Sequence, residues 1–278
     1  MPSSCPRRKP KAISLRPLVD RRFLLAVSAA LLAAAFFFFF GDRPVIEATK
    51  SLPTWTGAVF RPITHLGYGG YLLWPTGILA LLLLLAQRLR LSRLAHATVA
   101  VLVVRLGLLF WAVAIPGLIT DVVKALVGRA RPKFVHAAGD LAFDPLTLKA
   151  AAQSFPSGHT TVAFAAAVAL GTFLPRLRVP LFGLALLIGL SRIVLRVHYP
   201  SDAIGGALIG TVFATVVIRA FAARRLSLAV TSDGLIKPKP MPRLGRLAAL
   251  AASILAALRG RDPARPLARR GEILRGTE

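Results

Sequence analysis

A single cysteine, Cys5, in 278 residues leaves no partner for an intrachain disulfide and no set of thiolates for a metal centre. Acidic residues are also scarce: 11 Asp and Glu stand against 36 Lys and Arg, a formal charge of +25. Such a surplus can hold a phosphate backbone, but nucleic-acid binding needs the charge gathered on one recognisable soluble module. Here the basic residues are dealt out between apolar runs, so nucleic acid is not an expected partner. What the chain does have is apolar length. Hydrophobic residues make up 55%, against about 45–50% in soluble domains, and the mean hydropathy is +0.66.

Six runs approach the roughly 20 residues that cross a bilayer: 23–40, 71–86, 98–119, 159–174, 179–197 and 202–222. Lipid offers no partner for unpaired backbone groups, so each is expected to be a helix. The first run follows Arg21 and Arg22, as a signal peptide would. It ends in five phenylalanines, Phe36 to Phe40, with no small-x-small site beside them, and reads as an uncleaved anchor. Stability is expected from helix packing in lipid.

Lys and Arg are unevenly divided between the two sides that six spans define. Twenty-five fall in 1–22, 87–97, 175–180 and 219–278, and ten in the segments on the opposite side. The positive-inside rule then puts both termini in the cytoplasm. Arg105 lies within the third span, where a charge must face protein or snorkel; a structural role is expected. Segment 45–70 carries Trp55, Phe60 and Tyr68, aromatics suited to the membrane interface, and reads as a short surface helix in preference to a substrate lid. The domain organisation is thus a basic tail (1–22), a membrane domain (23–222) and a basic C-terminal tail (223–278). Within that tail, 244–259 is too short to span and is either an amphipathic helix on the anionic leaflet or a solvated segment.

The polar residues of the sparsely charged side form three clusters. Lys124 precedes Arg131-Pro132, Pro156-Ser157-Gly158-His159 opens the fourth span, and Ser191-Arg192 with His198 and Asp202 joins the fifth to the sixth. Six spans bring all three to one membrane face. Their chemistry suits a phosphate. Lys124 and Arg131 are seven apart, close to two helical turns, so a helix ended by Pro132 would put both on one face. Arg131 and Arg192 supply fork-shaped donors that match phosphate oxygens. Ser157-Gly158 stands at a helix start, where free amides attract an anion. Asp202, four residues beyond His198 on a helix beginning near Pro200, can fix one imidazole nitrogen and leave the other to attack phosphorus. His159 can protonate the leaving oxygen and later activate water.

These eleven identities resemble the three-part signature of the type 2 phosphatidic acid phosphatase superfamily, related to vanadium haloperoxidases and bacterial acid phosphatases. The resemblance covers about 23–222. It implies an all-α membrane protein with six transmembrane helices in a bundle of that type, and metal-independent hydrolysis of a lipid phosphate through a phosphohistidine. By family role His198 is the nucleophile, Asp202 its partner and His159 the acid, while Lys124, Arg131, Ser157, Gly158 and Arg192 hold phosphate. No cofactor is expected, and the expected partners are a lipid phosphate and the membrane. The implied location is a bacterial-type inner membrane with the site on its outer face. Phosphotransfer from the same intermediate, or lipid-phosphate binding without catalysis, are the alternatives. The signature reads phosphate and does not choose among phosphatidic acid, phosphatidylglycerol phosphate, undecaprenyl diphosphate and lipid A.

Overall fold

The computed structural model describes residues 21–134, 143–231 and 235–260. The basic residues before Arg21 and after Gly260, assigned above to the tails, lie outside the described residues.

The chain is mainly helical, as its apolar runs require. Helix α1 (Arg21–Phe36) passes through a π-helical turn (Phe37–Gly41) into α2 (Asp42–Lys50). Next come α3 (Thr54–His65), α4 (Gly70–Ala86) and the long α5 (Arg93–Val127). Helices α6 (Gly158–Phe173), α7 (Arg178–Val194) and α8 (Pro200–Ala223) follow. A two-stranded antiparallel hairpin, β1 (Leu228–Val230) and β2 (Ile236–Pro238), then leads to α9 (Leu244–Leu258). The hairpin was not expected.

Five stretches are long and apolar enough to cross a bilayer: Phe23–Lys50, Thr54–Ala86, Arg93–Val127, Pro175–Val194 and Pro200–Ala223. Large apolar side chains such as Leu32, Phe39, Leu82, Trp111 and Leu187 point outward from them. The protein is a multi-pass membrane protein. The expected fourth span is the helix α6, but its 16 residues extend only about 24 Å, short of the roughly 30 Å hydrocarbon core. Among the described residues, therefore, five of the six expected spans are full-length helices and α6 is shorter. The reason is packing. Half of α6 is buried, Thr160, Thr161, Ala165 and Ala169 among it, against α7 and α8, so it is sheltered by protein and needs less lipid-facing length.

The chain forms two compact units: Met1–Trp74 with Leu108–Pro238, and Pro75–Gly107 with Lys239–Glu278. The core of the first holds Ala112, Val113, Ala165, Ala169, Ala214 and Val217. Its tightest approach is between α6 and α8, where Gly206 and Gly210 form the small-xxx-small pattern that lets membrane helices touch. A Cβ at Gly210 would stand 2.3 Å from the Thr161 carbonyl oxygen, and one at Gly206 would stand 2.5 Å from that of Ser157. Thr120 and Thr161 share a hydroxyl hydrogen bond of 3.0 Å that ties α5 to α6. Gly210→Ala is expected to force these backbones apart at a cost of about 1–3 kcal/mol. A thermal unfolding midpoint in detergent equal to the parent's would contradict this.

In the second unit Leu83, Leu91, Ala95 and Val99 pack with Leu250 of α9, and the Ser92 N–H donates to Ser253 Oγ at 3.1 Å. Helix α9 is thus docked on protein by one face. Arg105 is buried and its guanidinium donates to the carbonyls of Lys239 and Pro240 and to Met241 Sδ. It faces protein, one of the two outcomes that its place inside a span implied.

Candidate active site

The first cluster is built differently from the spacing reading. Helix α5 ends at Val127, because Gly128 takes the left-handed conformation (φ 63°) that closes a helix. A Cβ there would stand 1.8 Å from the Asp144 carbonyl oxygen, so only glycine fits. Arg131 therefore does not share a helix face with Lys124, and Pro132 is not the terminator. Instead the stretch beyond Gly128 lies along 151–154: the Arg131 N–H donates to the Ala151 carbonyl (2.9 Å), and the Ser154 N–H to that of Arg129 (2.8 Å).

Lys124, in the last turn of α5, reaches the opening of α6. Its Nζ is 2.9 Å from where a Cβ on Gly158 would be, so glycine admits the ammonium to this spot. Nζ also lies 3.4 Å from Asp121 Oδ1. Ser157 is fully buried at the N-cap position but makes no side-chain capping bond. Its hydroxyl accepts from Thr160 Oγ1 (2.9 Å), and its N–H donates to the Asp202 carbonyl (3.0 Å). His159 follows in the first turn. The charges of Arg192, Lys124 and Arg131 all act on it, as does His198. Gly67, between α3 and α4, closes over it: a Cβ there would lie 3.0 Å from His159 Cβ.

Arg192 is buried in the last turn of α7, with Nη1 donating to Thr64 Oγ1 at 2.6 Å. The aromatic segment 45–70 thus turns Trp55 and Tyr68 outward and Thr64 inward. Beyond α7 the chain folds back, and the Arg192 carbonyl accepts from the N–H of both Val197 (3.0 Å) and His198 (3.2 Å). Helix α8 begins at Pro200, as expected of a residue suited to the first turn. Asp202 caps it by accepting the Tyr199 N–H at 2.9 Å.

His198 is buried, and its Nδ1 stands 3.6 Å from Asp202 Oδ2. That is just beyond hydrogen-bonding length, and Nδ1 has no other hydrogen-bond partner among the described residues. Burial pushes the imidazole below its ordinary range; Asp202 pulls the other way, and Arg192 and Arg131 add to the depression. The neutral form is therefore retained at lower pH than for a free histidine. The acid limb of kcat/KM against pH is expected below ~6.5. A limb above pH ~7 would contradict this environment.

Five residues that the sequence did not single out complete the setting. Arg129 is fully buried. Its Nη1 donates to Asp202 Oδ1 and to Ser201 Oγ, each at 2.7 Å, and its Nη2 to Asp42 Oδ2 at 2.8 Å. Its guanidinium lies 4.1 Å from the Tyr199 ring centroid, a cation–π distance. Ser154 Oγ donates to Asp202 Oδ2 at 2.5 Å. Asp42, from the start of α2, accepts from both the N–H and the hydroxyl of Ser201. The structure thus gathers Lys124, Arg131, Ser157, Gly158, His159, Arg192, His198 and Asp202. It adds a charged network beneath Asp202. Among the described residues, no group of three or more His, Cys, Asp or Glu side chains is placed to hold a metal ion.

The arrangement has counterparts. Residues 105–226 match the PAP2 superfamily. A lipid A 1-phosphatase of Rhizobium johnstonii is 36% identical over 126 residues, covering 45% of this chain and 52% of that protein. Lipid phosphate phosphatase 1 of Arabidopsis thaliana is 36% identical over 144 residues, covering 42% and 44%. The chain spans about half the length of the curated relatives it matches. Among solved structures, LpxE of Aquifex aeolicus aligns with a TM-score of 0.45 at 24% identity, over 64% of this chain and 94% of that one. The matched stretch begins at Arg105, later than the 23–222 over which the resemblance was read, and contains all three clusters. Residues 105–226 form a PAP2 superfamily domain.

Proposed function

We propose that this site hydrolyses a lipid phosphate monoester or diphosphate through a phosphohistidine on His198. The observation that carries the reading is the pairing of two imidazoles with three cations. His198 is backed by a buried carboxylate, His159 stands at the opening of α6 beside Lys124, and the charges of Arg131 and Arg192 act on both imidazoles. Binding alone would need the cations but neither an attacking nor a protonating group. In the first step the free nitrogen of His198 attacks phosphorus while the bond to the lipid oxygen breaks and His159 protonates that oxygen. In the second, His159 takes a proton from water, whose oxygen displaces His198 and releases inorganic phosphate. The three cations stabilise the equatorial oxygens throughout, and Asp202 stabilises the positive charge that develops on the attacking imidazole. Every charge needed is supplied by side chains, so the reaction runs without a metal.

Both curated relatives act on phosphorylated lipids by name, which supports the substrate class. The divided basic residues support cytoplasmic termini and a site at the outer face of a bacterial-type inner membrane. The test is a phosphate-release panel in detergent over lipid A, phosphatidic acid, phosphatidylglycerol phosphate and undecaprenyl diphosphate, with His198→Ala as the blank. Release from at least one lipid, undiminished by EDTA, is expected. Labelled phosphate found on an acceptor lipid in place of free phosphate would favour phosphotransfer. Strong EDTA inhibition reversed by Mg²⁺ would overturn the mechanism.

A further inference from the structure

Asp42 follows Gly41, just beyond the phenylalanine run and the π-helical turn, and is 4% exposed. A carboxylate taken out of water is costly unless fully paired. This one is paired: Oδ1 accepts the Ser201 N–H at 2.9 Å, and Oδ2 accepts Arg129 Nη2 at 2.8 Å and the Ser201 hydroxyl. Arg129 spans the space between two carboxylates, with one terminal nitrogen on Asp42 and the other on Asp202. Its planar fork turns as a unit, so the grip on Asp42 sets the direction of the nitrogen that engages Asp202. Ser201 does the same from the other side, holding Asp42 by its backbone N–H while receiving Arg129 at its hydroxyl. With Arg129 on Asp202 Oδ1, Oδ2 takes the Ser154 hydroxyl and the Tyr199 N–H and faces His198 Nδ1.

The charges matter as much as the contacts. Two carboxylates share one guanidinium, which leaves the network one negative charge in excess. That excess favours an imidazolium-like charge on His198. Without Asp42, the whole charge of Arg129 would fall on Asp202 and cancel its pull.

We propose that Asp42 is a positioning residue for the His198–Asp202 pair, acting through Arg129 and Ser201. This rests on His198 being the nucleophile. It also makes the first membrane-spanning stretch, Phe23–Lys50 and outside residues 105–226, part of the reaction apparatus.

The test compares Asp42→Asn with the full-length parent in detergent, on the lipid that the parent turns over. Asparagine preserves shape but removes the charge. We expect kcat to fall by about ten- to a hundredfold with KM little changed, and the acid limb of the rate to move to lower pH. The other groups facing His198 all remain in the variant: Asp202 on α8, Arg192 on α7, Arg131 beyond α5 and His159 on α6. The shift therefore reads Asp42. Ser201→Ala, which keeps the backbone contact and loses the hydroxyl, is expected to move both quantities the same way by less. A folded Asp42→Asn protein with parental kcat and pH profile would overturn the proposal. So would a loss of activity that merely tracks the folded fraction with the acid limb unmoved. If Asp42→Asn does not fold, parental kcat and pH profile in Ser201→Ala overturn it. A parent that releases no phosphate from any lipid overturns the functional reading and this inference together. An active parent, an inactive His198→Ala and a normal Asp42→Asn overturn this inference alone.

Discussion

His198→Ala is expected to lower kcat on the order of 10⁴-fold or more, with binding of substrate or inorganic phosphate changed little. On the proposed mechanism the variant loses the group that forms the covalent intermediate. Water would have to attack phosphorus directly, without a base aligned for that step. Lys124, Arg131 and Arg192 remain, as do Ser157 and Gly158 at the opening of α6, so the anion still has its contacts. Steady-state phosphate release gives the rate, and competition by inorganic phosphate against a bound analogue gives the affinity. A variant that turns over at near-parental rate would remove His198 from the chemistry. One that loses binding and turnover together would make it a structural or binding residue.

Arg129→Ala is expected to act on stability more than on any other property. The guanidinium is the shared partner of Asp42 and Asp202, both buried. Removing one member of a buried ion pair leaves an uncompensated charge and costs about 3–5 kcal/mol. Here two carboxylates lose their partner at once, in a protein whose total margin is of the order of 5–15 kcal/mol. Arg129→Lys should rescue little, because a single ammonium cannot reproduce a fork that reaches two carboxylates. Arg131→Ala is the contrast. Arg131 lies only two residues away but is assigned to phosphate, so that variant should fold normally and lose activity. Thermal unfolding and yield in detergent check both. A parental midpoint for Arg129→Ala would show that the network carries no stability.

The three clusters were legible because chemistry was written in residue identity. Two histidines, an aspartate and three cations flanking apolar spans in a fixed order leave few other readings. The start of α8 at Pro200 was legible for a local reason as well, since proline suits a first helical turn. Local geometry was less legible where two signals competed. Gly128 is a helix stop and lies between Lys124 and Arg131, yet the seven-residue interval pointed to one continuous helix. The left-handed glycine prevailed, because its backbone approaches Asp144 too closely for any other residue. The length of α6 escaped for a different reason. Hydropathy reads how apolar a segment is and does not read how far neighbouring helices shelter it.

The network beneath Asp202 was the least legible part. Arg129 sits two positions before Arg131, and the latter was distinguished by the following proline and by its seven-residue interval from Lys124. Its partner Asp42 is 87 residues away, just beyond the 23–40 run that read as a plain membrane anchor. Nothing local connects them. One clue was present: in a chain with 11 acidic residues, a carboxylate directly after an apolar run is unusual enough to require a buried partner.

The most direct measurement is to trap the intermediate. The parent protein, mixed with lipid carrying labelled phosphate and quenched in alkali, where a phosphoramidate survives, would be digested and its label located. Label on the peptide bearing His198, absent in His198→Ala and lost on brief acid treatment, is the predicted result. Label on another residue, or turnover with no labelled protein at any time, would contradict it.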